Sequence, residues 1–275
     1  MTIAFTKMQG LGNDFVVIDA ISHPITLDAQ LVRAISDRHR GIGCDQVLVV
    51  SVATISQADF RYQIFNADGS EAAQCGNGAR CVVEFLHQKG LLVHNAVTLQ
   101  TSERLLTATW LAPDYVNVDM GEPLFTPEAI PFITPAAATT YPVPLKEMAA
   151  LSMVVLSMGN PHAVIPVADI TSIPVKSWGA LLQQHATFPQ SVNVSFMQVI
   201  DKSTLRLRVY ERGVGETLAC GSGACAGAVA GIVLGLVVSP VTVILPGGEL
   251  TITWQGLGSS VGMAGAAVKV FTGNY

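Results

Sequence analysis

A two-domain α/β (α+β) fold built by internal duplication is predicted from three observations on this 275-residue chain. A nine-residue segment, Glu71 to Ala79, returns as Glu216 to Ala224 with five identical positions and an offset of 145. Smaller echoes recur at 145 or 147: Gly12-Asn13 at Gly159-Asn160, Gln46 at Asn193, Asn66 at Glu211 and Gly90 at Gly235. Each half is mostly short β-branched runs, with one helix-compatible run directly after its cysteine. Together these imply two pseudo-symmetric domains, each a curled, mainly antiparallel sheet around a central helix, with the active site in the cleft between them.

Taken in order, the first half offers strands at 14–19, 46–50, 61–65 and 96–101, bounded by turn residues. Its helix runs from Gly76 to about Lys89, and Gly90 suits the C-cap. Pro123, Pro127, Pro131, Pro135 and Pro142 then mark a stretch that reads as linker and turns. The second half offers strands at 163–167, 192–199, 205–210, 241–245 and 250–254. Its helix, Gly221 to about Leu236, is apolar all round, so it must be enclosed.

Composition narrows the function. Hydrophobic residues make up 50% and charged residues 13%, against a usual charged share of about 25%. Most of the chain is therefore buried, or some surface is covered by a partner. A membrane span needs roughly 20 strongly apolar residues. The nearest candidate, Ala219 to Val238, is diluted with Gly, Ala, Ser and Cys and suits close packing instead. The N-terminal residues lack the basic and apolar regions of a signal peptide. Five cysteines without framework spacing fit free thiols in a reducing cytoplasm. A net charge of −5 with no basic stripe argues against nucleic acid. The expected partner is a small molecule.

Cys75 and Cys220 are the candidate chemical groups. Each precedes a Gly-rich turn that opens a helix, Gly76-Asn77-Gly78 and Gly221-Ser222-Gly223. Helix N-termini favour the thiolate, so each cysteine pKa is expected to be lowered. The uncovered N–H groups of the turns suit a carboxylate or phosphate. Two such turns facing one another would hold the Cα of an amino acid between two sulfurs. A lone cysteine is usually only a small buried hydrophobe; the matched pair favours acid–base chemistry. Cys81 and Cys225 do not match by the offset and read as packing residues, as does Cys44.

Asn13 and Asn160 are either turn formers or ligand contacts. Asn66 and Glu211 end strands that lead into the cysteine turns, which favours function. Arg212 either forks onto a second carboxylate or makes a surface pair. His162 is structural or assists proton traffic. No CxxC pair or histidine cluster suggests zinc. Neither a P-loop nor a dinucleotide fingerprint is present, and nothing signals pyridoxal phosphate.

Gln74 to Cys81 and Glu211 to Cys225 closely resemble the two signatures of the bacterial diaminopimelate epimerases. Lys7 to Phe15, Phe65 to Ser70 and Gly159 to His162 resemble further segments of that family, so the likeness spans essentially the whole chain. The resemblance implies cofactor-independent interconversion of LL- and meso-diaminopimelate, for lysine and peptidoglycan precursors. It implies Cys75 and Cys220 as thiolate base and thiol acid, exchanging roles with direction. Asn13, Gln46, Asn66, Asn160, Asn193 and Arg212 would hold the substrate, with the asparagines and the arginine clamping its distal end. His162 and Glu211 would support proton transfer and bind the amine. Gly76-Asn77 and Gly221-Ser222 would cradle the proximal carboxylate; Ser222 stands where threonine is common. It further implies a homodimer, a first domain at 1–120 rejoined by the last strand at about 266–275, and a second domain at 121–265. The alternatives are a racemase of another amino acid, a thiol–disulfide redox protein and a non-catalytic amino-acid-binding module.

Overall fold

The computed structural model describes residues 2–72, 76–146 and 151–275. The chain forms two compact units, Met1–Asp119 with Ala264–Tyr275, and Met120–Met263.

In the first unit β1 (Ala4–Gly10) and β2 (Asn13–Asp19) form an antiparallel hairpin. α1 (Ala29–Ser36) carries the chain to β3 (Gln46–Val52), which lies parallel to β2. β3 turns back into antiparallel β4 (Phe60–Asn66), which also pairs with the short β5 (Glu71–Ala72). α2 (Gly76–Gln88) leads to β6 (Ala96–Gln100), parallel to β4. Antiparallel β7 (Leu105–Ala112) and β8 (Tyr115–Asp119) follow.

The second unit repeats that order. After a short β9 (Tyr141–Pro142), β10 (Ser152–Ser157) and β11 (Pro161–Pro166) form a hairpin. α3 (Val175–Gln183) leads to β12 (Asn193–Asp201), parallel to β11. β13 (Thr204–Glu211) and the short β14 (Gly215–Thr217) return antiparallel. α4 (Gly221–Val233) leads to β15 (Val241–Leu245), parallel to β13, and antiparallel β16 (Gly248–Thr253) follows. The chain ends in β17 (Gly262–Ala266) and β18 (Val268–Asn274), and β18 lies antiparallel to β1. Matched pairings in matched senses extend the echo of the cysteine turns to the whole of each sheet.

Each sheet is covered on both faces, which explains the apolar runs. Successive strand residues point to opposite faces. Val47 and Val49 of β3 pack with Val32 and Ile35 of α1. Leu48 and Val50, on the other face, are fully buried, and α2 packs against β1, β2, β3, β7 and β8. A strand buried on both sides loses polar alternation. α4 is enclosed by β10 to β13, β15 and β16. Its small residues permit close approach: a Cβ on Gly227 would stand 3.0 Å from a Leu207 methyl.

Two expectations are corrected. Each unit has a second helix, α1 or α3, where one was expected. They span only eight and nine residues, little more than two turns each. α1 did announce itself through Asp28, whose carboxylate caps Leu31 N at 2.8 Å. The proline-rich stretch is not a linker, because Ile130, Phe132, Tyr141 and Val143 are buried in the core of the second unit. Proline marked turns there, with apolar anchors between them.

Candidate active site

In the second unit the predicted residues gather around the N-terminus of α4. Cys220 is the N-cap, and its sulfur accepts the N–H of Gly223 at 3.4 Å. Ser222 Oγ lies 3.7 Å from that sulfur, and Asn160 donates its amide to Ser222 Oγ at 3.4 Å. Asn160 Oδ1 lies 2.9 Å from His162 Nε2. On the other side Glu211, at the end of β13, accepts a hydrogen bond from the Cys220 thiol and one of 2.5 Å from Thr217 Oγ1. A continuous polar path thus runs His162–Asn160–Ser222–Cys220–Glu211–Thr217.

Register explains the gathering. His162 of β11 lies opposite Asn193 of β12, and β12 pairs with β13 so that Val194 meets Tyr210. Asn193 locks the strand ends through backbone groups, donating to Pro161 O at 3.0 Å and accepting Arg212 N at 2.9 Å. Arg212 is exposed and donates to Gln190 O at 3.1 Å. Among the described residues it makes no ion pair with a carboxylate.

The protonation states correct one expectation. The Cys220 thiol is pushed well above its usual value, not lowered. Burial is the largest cause and the Glu211 charge the second, and the Ser222 hydroxyl and Gly223 N–H only partly offset them. The N-terminal position of Cys220 is as expected; its neighbours overrule it. Burial also raises the Glu211 carboxyl. Burial first, and the Arg212 charge second, pull His162 down to about 3. Its imidazole is neutral. With Nε2 donating to Asn160, Nδ1 is a buried acceptor without a partner among the described residues.

In the first unit Gln46 and Asn66 are directly opposite on β3 and β4. Gln46 Nε2 donates to Asn66 Oδ1 at 2.9 Å, and Asn66 Nδ2 donates to Ser70 Oγ at 3.0 Å. Asn13 opens β2 and donates to Asp45 Oδ2 at 2.9 Å. Asn77, in the first turn of α2, is buried. Gly76 begins that helix. Cys75 lies outside the described residues.

The turns before Asn13 and around Asn160 do not need asparagine. Left-handed φ angles fall on Leu11 (56°) and Gly12 (81°) in one and on Gly159 (88°) in the other. Turn formation therefore gives no reason for either asparagine, and the contact reading gains. Cys81 and Cys225 are fully buried, consistent with packing, and Cys44 sits against Ser36.

Two supports went unread in the sequence. Thr217 lies inside the repeated segment but differs between its copies. Asp45 joins a network in which Arg38 forks onto Asp14 at 2.7 and 3.0 Å and reaches Asp45 at 2.7 Å. Lys7 completes it at 2.6 Å from Asp14. Asp45 and Asp14 also cap each other's backbone N–H. That reciprocity sets the entrance of β3 beside β2, and with it Gln46 and Asn13. Asp45, directly before the strand that Gln46 opens, was its one visible signal.

Among the described residues no group of His, Cys, Asp and Glu is arranged to hold a metal. No helix among them is long and apolar enough to cross a membrane.

The profile of the family described as Diaminopimelate epimerase matches residues 5–126 and 154–270. The chain is 51% identical to a diaminopimelate epimerase of Aromatoleum aromaticum and 54% identical to one of Azoarcus sp., covering 99% of this chain and 98% of each relative. Among solved structures it resembles a hydroxyproline epimerase of Agrobacterium vitis (TM-score 0.67, 17% identity, 99% of this chain and 92% of that one). It also resembles a PhzF-family protein of Bacillus anthracis (TM-score 0.69, 16% identity, 100% and 99%). The solved structures support the fold alone.

Proposed function

The chain belongs to the diaminopimelate epimerase family, and from that premise we propose the chemistry that follows. The enzyme interconverts LL- and meso-diaminopimelate without a cofactor, as an isomerase. One cysteine thiolate takes the α-proton, and the C–H electron pair passes to Cα and spreads into the carboxylate. The other thiol gives its proton to the opposite face of Cα, and the two sulfurs end with their protonation exchanged. Cys75 and Cys220 are that pair.

The observation that carries this reading is Cys220. It is a buried, free thiol at a helix N-terminus, hydrogen-bonded to a carboxylate and held protonated. A group so poised is a proton donor, and the matched Cys75 is the natural acceptor. Gly221-Ser222 and Gly76-Asn77 cradle the proximal carboxylate, whose charge rises as the proton leaves. Glu211 and His162 bind the substrate amine and support proton transfer; the bare Nδ1 of His162 offers an acceptor for an ammonium proton. Arg212, exposed and free of carboxylate partners among the described residues, is suited to the distal carboxylate. Asn13, Gln46, Asn66, Asn160 and Asn193 complete the substrate contacts. We further propose a homodimer in the reducing cytoplasm, where two thiols stay reduced.

The test is solvent deuterium exchange at Cα of diaminopimelate with reduced protein. Exchange into both stereoisomers is expected. Its absence with intact thiols would end the reading, and faster turnover of proline would redirect it to another substrate. Light scattering checks the dimer.

A further inference from the structure

Thr217 closes β14 opposite Val209 of β13, and two residues further along β13 Glu211 is paired with Gly215. Successive strand residues alternate in side, so Thr217, Val209 and Glu211 share one face. That face is turned to α4: a Cβ on Gly223 would stand 3.1 Å from a Val209 methyl. Glu216, on the other face, is drawn to Arg208 instead, at 2.7 Å. Register thus sets the Thr217 hydroxyl diagonally across from Glu211, and its Oγ1 donates to Glu211 Oε1 at 2.5 Å. A hydroxyl sits that close on an ionised carboxylate. The Cys220 thiol donates to the same carboxylate.

The repeat supplies an internal control. The offset of 145 that relates the cysteine turns carries Thr217 onto Ala72, the end of β5. The short strand therefore forms without a hydroxyl at that place, and valine would serve β14 as well as a strand former. In the first unit the strand-end residue is Asn66, and its hydroxyl partner is Ser70. Ser70 Oγ donates to Asp68 Oδ1 at 2.6 Å, which leaves its oxygen to accept from Asn66 Nδ2 at 3.0 Å. The two hydroxyls work in opposite senses. One accepts from an amide and the other donates to a carboxylate, and each sense suits the group it holds.

Burial lifts the Glu211 carboxyl, and the Thr217 and Cys220 donors pull it back. The other ionisable groups on β13 and the elements packed against it are engaged elsewhere or exposed. Arg208 and Glu216 hold each other, and Arg206, Arg212, Lys176 and Asp201 are exposed. Tyr210 turns to the opposite face, against Gly179 of α3. Cys225 is buried further along α4, and His162 of β11 is neutral.

We infer that Thr217 is a positioning residue for the epimerisation: its hydroxyl holds the Glu211 carboxylate as an anion, turned to Cys220 and to the substrate amine. A carboxylate has about four lone-pair sites. Two are taken by Thr217 and Cys220, and the rest remain for an ammonium. Without the hydroxyl the carboxylate is free to turn from the thiol and is easier to protonate. The inference rests on the roles of Glu211 and Cys220 proposed above.

The test reads the carboxyl without substrate, so it can fail while exchange activity stands. The NMR signal of the Glu211 carboxyl carbon is followed across pH in reduced, full-length enzyme carrying isotope-labelled glutamate. Its absence in Glu211→Gln assigns it. In the unaltered enzyme the carboxyl is expected to be ionised at neutral pH. In Thr217→Val its midpoint rises by about one unit or more, since a hydrogen bond to the charged form is lost. The acid limb of kcat/KM moves up with it, and kcat/KM at neutral pH falls about tenfold. Thr217→Ser, keeping the hydroxyl, restores both. An unchanged midpoint in a folded Thr217→Val protein would overturn the inference, as would a Thr217→Ser protein that behaves like Thr217→Val. So would a protonated Glu211 at neutral pH in the unaltered enzyme, a result that needs no Thr217 variant to fold.

Discussion

The two units share a path but not a polarity. Each runs hairpin, helix, parallel strand, hairpin, central helix, parallel strand, hairpin. At matched places one has Asn66, Gln46 and Arg80, and the other Glu211, Asn193 and Cys225. The first unit pairs two neutral amides across β3 and β4 and buries a cation in its helix. The second turns its amide, Asn193, to the backbone and leaves a carboxylate on its cysteine. Duplication fixes where the groups stand, and a few substitutions decide which charge each helix end meets.

The comparison breaks most completely at the cysteines. Cys75→Ser and Cys220→Ser should each lower deuterium exchange by about 10³-fold, the scale of a lost acid–base group. Full exchange in either variant would remove that residue from the chemistry. Glu211→Gln should cost less, about 10²-fold in kcat. It should also lower the alkylation midpoint of Cys220, because the carboxylate charge is second only to burial in holding that thiol up.

His162, in the second unit, gives a stability signature of its own. Its folded value of about 3 lies below the 6.5 of an unfolded histidine. The unfolded chain binds the extra proton between those values, so stability rises with pH there. The protein keeps this contribution above pH 6.5 and loses it as pH falls toward 3, by roughly 5 kcal/mol at most. His162→Gln should flatten that acid limb in denaturant titrations; an unchanged slope would contradict the buried neutral imidazole.

The smallest effect is the sharpest check on symmetry. Gly90 and Gly235 end the two central helices with φ of +67° each, and a Cβ at either meets nothing within 4 Å. Ala at either site should therefore cost the same, about 1 kcal/mol of backbone strain. Unequal thermal shifts would show that the helix ends differ beyond the backbone.

The sequence disclosed the repeat, both central helices and most strands, because these depend on local pattern. The 46–50 run was legible since four consecutive buried residues leave no polar alternation to misread. The short outer helices were not picked out, although Asp28 caps α1 and Val32 and Ile35 line its buried face. Asn160, Glu211 and Cys220 stood out through the offset, and His162 only through its place beside Asn160 and the family resemblance. The protonation of Cys220 was not. A helix N-terminus can be read from sequence, but the burial and carboxylate that overrule it are products of folding.

β18 lies beside β1, from Ala4 opposite Asn274 to Gln9 opposite Val268. β1 therefore leaves the ribosome long before β18, the strand that pairs with it. The second unit's strands are all within the chain by then, so it can close while the first still lacks one. At about 5–20 residues per second, that wait lasts tens of seconds. An open strand edge invites pairing with other chains, so nascent copies would gain most from a chaperone while β1 still lacks its partner.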